Sequence, residues 1–249
     1  MKKKLRTLAA LALAAVLLLT GCAAGTAQTD TTQETASETT AAAETTQTAD
    51  GGKILTMAIV SPWSSLSPFM ANVNYDDCIL SLIFDKLVYI KEGGEFTSRL
   101  ADSWEVSEDN SYIVFHLNEN AKWHDGEPVT ADDVVFTLNM SADPDLTTTR
   151  RLFLQNIAGT DDNGVELSEG SLEVEALDEH TVKMNFKRKM DEVTFFSEIR
   201  AVYIVPEHLL KDVSAADMAT CDFWNAPVGS GPCVFESQIA GERVTMRAN

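Results

Sequence analysis

The chain has 249 residues, and its 38 acidic residues exceed its 19 basic ones, which gives a formal net charge of -19. Hydrophobic residues make up 45% and charged residues 23% of the sequence, which is ordinary for a globular protein of one large or two small domains. So acidic a surface repels phosphate backbones and anionic lipid, which argues against nucleic-acid binding and against membrane attachment through a basic patch.

The first predicted element is an export signal. Residues 2–6 are rich in lysine and arginine, and an unbroken apolar run extends from Leu8 to Leu19. As a helix this run would reach about 18 Å, which is short of the roughly 30 Å hydrocarbon core of a bilayer. We therefore interpret residues 1–21 as a signal peptide rather than a membrane span.

The signal peptide ends in Leu19-Thr20-Gly21-Cys22. This tetrapeptide resembles the lipobox of bacterial lipoproteins, which implies that Cys22 receives diacylglycerol and becomes the new N-terminus. Two or three acyl chains anchor a protein firmly. The resemblance thus predicts a lipid-anchored protein on the outer face of a bacterial plasma membrane, extracytoplasmic or periplasmic; the alternative is a plain signal peptide with an incidental cysteine.

A segment that cannot form a core follows. Residues 22–52 consist mainly of Thr, Ala, Glu and Gln and contain no aromatic and no branched aliphatic residue. Such a composition buries too little apolar surface to offset the entropy of ordering. The segment is predicted to be a disordered tether between the anchor and a folded part that comprises residues 53–249.

The folded part is predicted to be α/β or α+β with a mixed sheet, because hydrophobic patterns of period 2 alternate with patterns of period 3.6. Thr130 and Asp133 predict a capped helix start, and Asp109-Asn110 predicts a hairpin turn. Helices are predicted at Tyr75–Lys86, after Thr130, at Glu192–Ile199 and at Pro206–Leu210, and strands at Ile54–Val60, Leu87–Ile90, Trp104–Val106, Tyr112–Leu117, Leu172–Ala176, Thr181–Phe186, Ala201–Val205, Cys233–Glu236 and Val244–Arg247.

Three cysteines remain once Cys22 is assigned to lipid: Cys78, Cys221 and Cys233. They allow at most one disulfide, for which Cys221 and Cys233 are the candidate pair, or they remain reduced thiols. No Gly-x-Ser-x-Gly, His-Glu-x-x-His or Gly-x-x-x-x-Gly-Lys motif occurs, so the sequence does not predict an enzyme.

The most informative stretch lies between Leu100 and Leu138. It contains Leu100-Ala101-Asp102-Ser103-Trp104, then the turn Trp123-His124-Asp125-Gly126, then Ala131-Asp132-Asp133-Val134 at the start of a predicted helix. This pattern resembles the signature of the family 5 extracellular solute-binding proteins of ABC transporters, which bind dipeptides, oligopeptides or nickel. Weaker similarities are found at Ser65–Pro68, at Phe84–Val88 and at Ala226–Cys233, where Ser230 and Cys233 replace the Thr and Tyr of the family pattern.

The resemblance implies the first lobe of a periplasmic-binding-protein-like type II fold, incomplete because relatives are about twice as long. It implies a monomer that captures peptides, without a cofactor or covalent chemistry, and delivers them to the permease and ATPase subunits of an importer. It places ligand-binding residues after the first strand, at Ser61, Pro62 and Trp63, and in the glycine loop at Gly229 and Ser230.

Other cargoes and one other class of function remain open. Relatives bind oligosaccharides, nickel chelates or haem, and the side chains of Trp63 and Trp224 could stack on sugar rings. No second His or Cys lies at ligand spacing from His124, which therefore favours a structural turn over a metal site. A lipid-anchored adhesive or structural surface protein would fit the anchor and tether equally well, but it would not explain the motif of residues 100–138.

Overall fold

The computed structural model describes residues 44–47, 53–59, 62–71, 74–148 and 150–249. The predicted signal peptide, the predicted lipid attachment site Cys22 and the predicted ligand-binding residue Ser61 lie outside these residues. None of the helices in the described part of the chain is both long enough and apolar enough to cross a membrane.

The first two strands differ from the prediction. Strand β1, Glu44–Gln47, lies within the predicted tether and pairs antiparallel with β2, Lys53–Thr56. The expected disorder therefore does not extend to these four residues. The prediction of a buried strand reaching Val60 is also wrong: β2 ends at Thr56, and Met57, which follows it, is 49% exposed.

The remaining elements follow in one α/β domain. The helices are α1 (Asn74–Ile83), α2 (Ala131–Ala142), α3 (Glu192–Ile199), α4 (Glu207–Leu210) and α5 (Ala215–Met218). The strands are β3 (Val88–Ile90), β4 (Phe96–Ser98), β5 (Ala101–Val106), β6 (Tyr112–Leu117), β7 (Val174–Asp178), β8 (Thr181–Asn185), β9 (Cys233–Ile239) and β10 (Arg243–Ala248). The α/β class is confirmed, but the predicted mixed sheet is not found: every pairing among the described strands is antiparallel, with the largest sheet in the order β5-β6-β8-β7.

Local signals account for the elements that were predicted closely. Helix α3 has the predicted bounds because the Asp191 carboxylate accepts the Thr194 N–H at 3.0 Å and caps the first turn. At the start of α2 the Asp133 carboxylate accepts the Thr130 N–H at 2.9 Å. Asn110 turns the β5–β6 hairpin with a φ of 59°, a left-handed conformation that asparagine tolerates.

Two hydrophobic clusters form the interior. The first cluster lies between the four-stranded sheet, α2 and α3, and includes Phe115, Trp123 and Phe196. The second cluster surrounds α1 and includes Leu80, Phe84 and Trp224. The chain passes from the second cluster into the first between Phe84 and Leu87, enters the second again at Leu146, and alternates between the two in residues 202–205.

The predicted strand Ala201–Val205 does not form. Val202 and Ile204 enter the first cluster, whereas Tyr203 and Val205 enter the second, which produces the alternation of a strand without a strand partner. The backbone donors are satisfied elsewhere: the Ile204 N–H donates to the Asp85 carbonyl at 3.1 Å, and the Val205 N–H donates to the Thr137 hydroxyl at 3.1 Å. The alternating hydrophobic pattern of this segment therefore reflects the burial of its side chains in two clusters, and it does not indicate a strand of a sheet.

Candidate functional site

Two cavities are candidates for a binding site. One, here called the charged cavity, has a volume of about 380 Å³ and is lined by Asp77, Arg150, Leu152, Phe153, Gln155, Ser197, Glu198 and Ala201. The other, here called the Trp63 cavity, has a volume of about 400 Å³, and its lining includes Trp63, Ser64, Met70, Cys221, Trp224 and Gln238. Both volumes lie in the range of small-molecule sites.

An ion pair fixes the wall of the charged cavity. The Arg150 guanidinium lies 2.9 Å from the Asp77 carboxylate and also donates to the Ala71 carbonyl at 2.7 Å. The Tyr203 hydroxyl donates to the same Asp77 carboxylate at 3.1 Å. Asp77 comes from α1, and Arg150 comes from the segment between α2 and the short 3₁₀ turn Leu152–Asn156. The fold thus brings together charges that are far apart in the sequence.

Further charges surround this pair. The Lys86 ammonium lies 4.0 Å from the centre of the Tyr203 ring. Burial lowers the pKa of Lys86 to about 8, with Arg150 and Arg200 acting in the same direction and Asp77 opposing them. Burial, and then the charge of Asp77, raises the pKa of the Tyr203 phenol, which stays neutral. At neutral pH Lys86 is therefore mostly charged, and cations of Lys86 and Arg150 flank one carboxylate.

The lining of the charged cavity includes a second carboxylate. Glu198 of α3 accepts a hydrogen bond from the Asn156 amide at 2.8 Å. Leu152 is 62% exposed and adds an apolar surface beside it. The cavity therefore presents a guanidinium, two carboxylates and an apolar side chain to one small volume.

The Trp63 cavity contains some of the residues that the sequence singled out. Trp63 is half-buried and lines it, whereas Pro62 is exposed and is not part of the lining. Trp224 also lines it but is only 6% exposed, and its indole N–H donates to the Met218 carbonyl at 2.6 Å. Its ring packs edge-on against Phe69 and Phe84. Trp224 is therefore a core residue, and the paired stacking of Trp63 and Trp224 on a sugar is not supported.

The segment 62–71 connects the two cavities. Near its start, the Ser64 N–H and hydroxyl donate to the two oxygens of the Asp76 carboxylate at 2.7 and 2.6 Å. Near its end, the Phe69 carbonyl accepts the Thr148 hydroxyl at 2.7 Å, and the Ala71 carbonyl accepts Arg150. The segment is thus held against α1 on one side and against the Arg150 segment on the other.

The glycine loop lies apart from both cavities. Gly229 and Ser230 are absent from either lining, and Gly229 is buried against the C-terminal end of α1. The Ser230 hydroxyl is buried and has no hydrogen-bond partner within the described residues. The predicted contact of these two residues with a solute stays a prediction.

The close approach of the loop to α1 requires a glycine. A Cβ atom added to Gly229 would lie 1.9 Å from the Ile83 carbonyl oxygen. We expect Gly229→Ala to lower the free energy of unfolding by about 1–3 kcal/mol, measured by urea denaturation. Gly94→Ala is the control: it tests a positive φ without a clash, because a Cβ there meets no atom within 4 Å. A smaller loss in Gly229→Ala than in Gly94→Ala would contradict the expectation.

The sequence interpretation missed Asp77, Arg150 and Glu198. The available signal was the pair Arg150-Arg151, two adjacent cations in an acidic chain. Arg151, however, donates to the carbonyls of Ser141 and Leu146 at 2.9 and 2.7 Å and so stabilises the chain after α2. Only the structure separates the structural arginine from the one in the cavity.

The described residues form neither a cluster of metal ligands nor a disulfide. In the described ranges no three or more His, Cys, Asp or Glu side chains come together as a metal site. Cys78, Cys221 and Cys233 are free, so the candidate disulfide between Cys221 and Cys233 is not formed in the structure. Burial raises the pKa of both the Cys221 and the Cys233 thiols, which lowers their reactivity.

Comparison with known proteins defines the class. A protein of Brucella ovis named "Putative ABC transporter peptide-binding protein" is 31% identical over 151 residues, which are 60% of this chain and 25% of that protein. The murein tripeptide binding protein MppA of Escherichia coli superposes with a TM-score of 0.65 at 25% identity, over 76% of this chain and 37% of that one. The oligopeptide-binding protein AppA of Bacillus subtilis has a TM-score of 0.66 at 22% identity, over 77% and 35%, and shows the shared fold.

The structural similarity defines part of a type II periplasmic-binding-protein fold, the fold of extracytoplasmic solute receptors. Residues 95–249 match the family described as bacterial extracellular solute-binding proteins, family 5 Middle, and the chain belongs to this family. The chain spans about a quarter of the length of the Brucella relative that it matches.

Proposed function

We propose that the protein is the substrate-binding component of an ABC importer and that it captures peptides in the charged cavity. The observation that carries the proposal is the Arg150–Asp77 pair at 2.9 Å on the wall of a cavity of about 380 Å³. In this proposal the cargo is handed to a membrane permease driven by ATPase subunits. The match to a solute-binding family supports this role.

The charges of the cavity complement those of a peptide. A free peptide carries a carboxylate, which can accept a hydrogen bond from the donors of the Arg150 guanidinium that Asp77 and Ala71 leave free. It also carries an ammonium group, which the carboxylates of Asp77 and Glu198 can accept. A neutral oligosaccharide has no charge to match either group. The exposed side of Leu152 suits the apolar part of a peptide side chain.

The surroundings of the cavity extend this proposal. In this proposal Ser61, Pro62, Trp63, Gly229 and Ser230 keep the ligand-binding role that the family resemblance implies, as contacts with the solute outside the charged cavity. We also assign Cys22 as the site of a lipid anchor, with residues 1–21 removed as its signal peptide. Anchoring at the outer face of the plasma membrane would hold a monomeric receptor close to its permease.

An NMR titration tests the peptide assignment. Since the chain spans about a quarter of its Brucella relative, we expect weak binding of di- to pentapeptides, in the millimolar range. Backbone signals of Asp77, Arg150 and Glu198 should shift on titration. Arg150→Ala should weaken binding by about tenfold or more, because a hydrogen bond to a charged group contributes about 1.5–3 kcal/mol.

The control is Arg243→Ala, which removes the same charge from an exposed position of β10 and should bind as the wild type does. Cello-oligosaccharides and nickel are titrated in parallel. Shifts with sugars or nickel alone would contradict the peptide assignment. The absence of shifts with any solute would contradict solute binding by the cavity and favour an adhesive or structural role.

A further inference from the structure

His124 holds the glycine loop through both nitrogens of its ring. Its backbone N–H donates to the Gly229 carbonyl at 2.8 Å. The Gly229 N–H donates in return to Nδ1 of the imidazole at 3.2 Å, and Nε2 lies 3.0 Å from the Gly231 carbonyl oxygen. Nδ1 faces a donor and Nε2 faces an acceptor, so the geometry selects the neutral ring with its proton on Nε2.

The same loop is bonded to the helix that bears Asp77. The Gly231 N–H donates to the Ile83 carbonyl at the end of α1 at 2.9 Å. The Gly231 carbonyl, besides facing His124, accepts the Asn249 side-chain amide at 3.2 Å. Three segments distant in sequence, the His124 turn, α1 and the chain after β10, thus meet at this loop.

A second proton on His124 would break this arrangement. It would sit on Nδ1 and point at the Gly229 N–H, so that two donors would face each other. The neighbouring charges act in opposite directions: Arg247 of β10 disfavours the charged ring, whereas Asp125 favours it. Asp125 is also engaged with His208 of α4, whose Nε2 lies 2.8 Å from its carboxylate.

We propose that His124 is a positioning residue that keeps the Gly229–Gly231 loop against α1 while its ring is neutral and releases the loop when the ring is protonated. The loop is part of the solute-binding surface only if the proposed function is correct. The release itself depends on hydrogen bonds within the chain. Acidification would then loosen this loop, one of the contacts proposed for the solute outside the charged cavity.

The direction of the pH dependence follows from burial. Burial lowers the pKa of His124 below its ordinary value, and the opposing hydrogen bond to Gly231 does not cancel this effect. The folded chain therefore binds fewer protons at this site than the unfolded chain does. The stabilisation is complete above the ordinary histidine pKa of about 6.5 and is lost as the pH falls through the lower pKa of the folded state.

Two substitutions of His124 separate the hydrogen bond that its ring accepts from Gly229 from the protonation of that ring. His124→Asn can place an amide oxygen near the position of Nδ1, so it can still accept the Gly229 N–H, but it does not titrate. His124→Gln places its amide nearer to Nε2 and leaves the Gly229 N–H without its acceptor. His116→Asn is the matched control, because His116 lies on β6 and contacts neither the loop nor α1.

Hydrogen exchange of the Gly229 amide tests the proposal at about pH 7.5 and about pH 5, after correction for intrinsic exchange. Protection in the wild type and in His116→Asn should fall about tenfold at the lower pH. It should be constant in His124→Asn and low at both values in His124→Gln. Unchanged protection in the wild type, or an equal fall in His124→Asn, would overturn the proposal.

Imidazole nitrogen shifts of the wild type provide a second measurement that does not depend on a variant folding. The neutral ring should carry its proton on Nε2, and a ring protonated on Nδ1 at neutral pH would also overturn the proposal. Neither measurement involves a peptide. A failure of the peptide titration and a failure of the loop release can therefore be told apart.

Discussion

Replacing Trp123 by alanine is expected to lower the free energy of unfolding by about 3–5 kcal/mol. The side chain is 2% exposed and belongs to the first hydrophobic cluster, so the substitution leaves a large cavity beside α2. It also removes the indole N–H that donates to the Asp133 carboxylate at 3.2 Å. Urea denaturation followed by far-ultraviolet circular dichroism measures the loss.

Trp63→Ala is the control for this prediction. Trp63 is half-buried at the edge of the second cluster, so its removal opens a site that solvent already reaches. We expect a clearly smaller loss of stability than in Trp123→Ala. An equal or larger loss in Trp63→Ala would contradict the expectation that the buried Trp123 contributes more to stability than the half-buried Trp63.

Replacing Asp133 by alanine is expected to lower the free energy of unfolding by about 3 kcal/mol or more. Its buried carboxylate accepts the Trp123 indole at 3.2 Å, the Thr130 N–H at 2.9 Å and the Glu207 N–H at 2.8 Å. These donors belong to the turn before α2, the start of α2 and the start of α4. Without the carboxylate the Trp123 indole is left unpaired in a buried site, and the two backbone donors lose their partner in partly buried positions.

Asp132→Ala is the control for the loss of a negative charge at the start of α2. Asp132 lies in the same first turn of α2 but is exposed, so Asp132→Ala removes only its interaction with the helix dipole, about 0.5 kcal/mol. The double variant of Trp123 and Asp133 should lose less free energy of unfolding than the two single variants lose together, because the two side chains share a hydrogen bond. Full additivity, or equal losses in Asp132→Ala and Asp133→Ala, would contradict this account.

Elements with local signals could be predicted from the sequence. The bounds of α3 and β6 were predicted correctly, since capping and hydrophobic period are properties of neighbouring residues. The pattern of Ala201–Val205 was recognised, but its interpretation as a strand was wrong. An alternating pattern shows which residues are buried and does not show what lies on either side.

The charged cavity could not be predicted in the same way. Asp77, Arg150 and Glu198 meet only because α1, the Arg150 segment and α3 pack together, and no spacing along the chain encodes that contact. The sequence around Trp224 does not distinguish a side chain that contacts a ligand from one that packs in the interior. His124 was correctly interpreted as a structural residue, although its hydrogen bonds to Gly229 and Gly231 required the folded chain.

Two of the chain crossings between the hydrophobic clusters, at residues 84–87 and 202–205, have a mechanical consequence. The Asp85 carbonyl of one crossing accepts the Ile204 N–H of the other, and the Lys86 ammonium sits over the Tyr203 ring beside it. A twist of one cluster against the other must therefore strain both of these crossings together, because a hydrogen bond and a cation–π contact link them. Tyr203 also donates to Asp77, so such a twist would also displace the wall of the charged cavity.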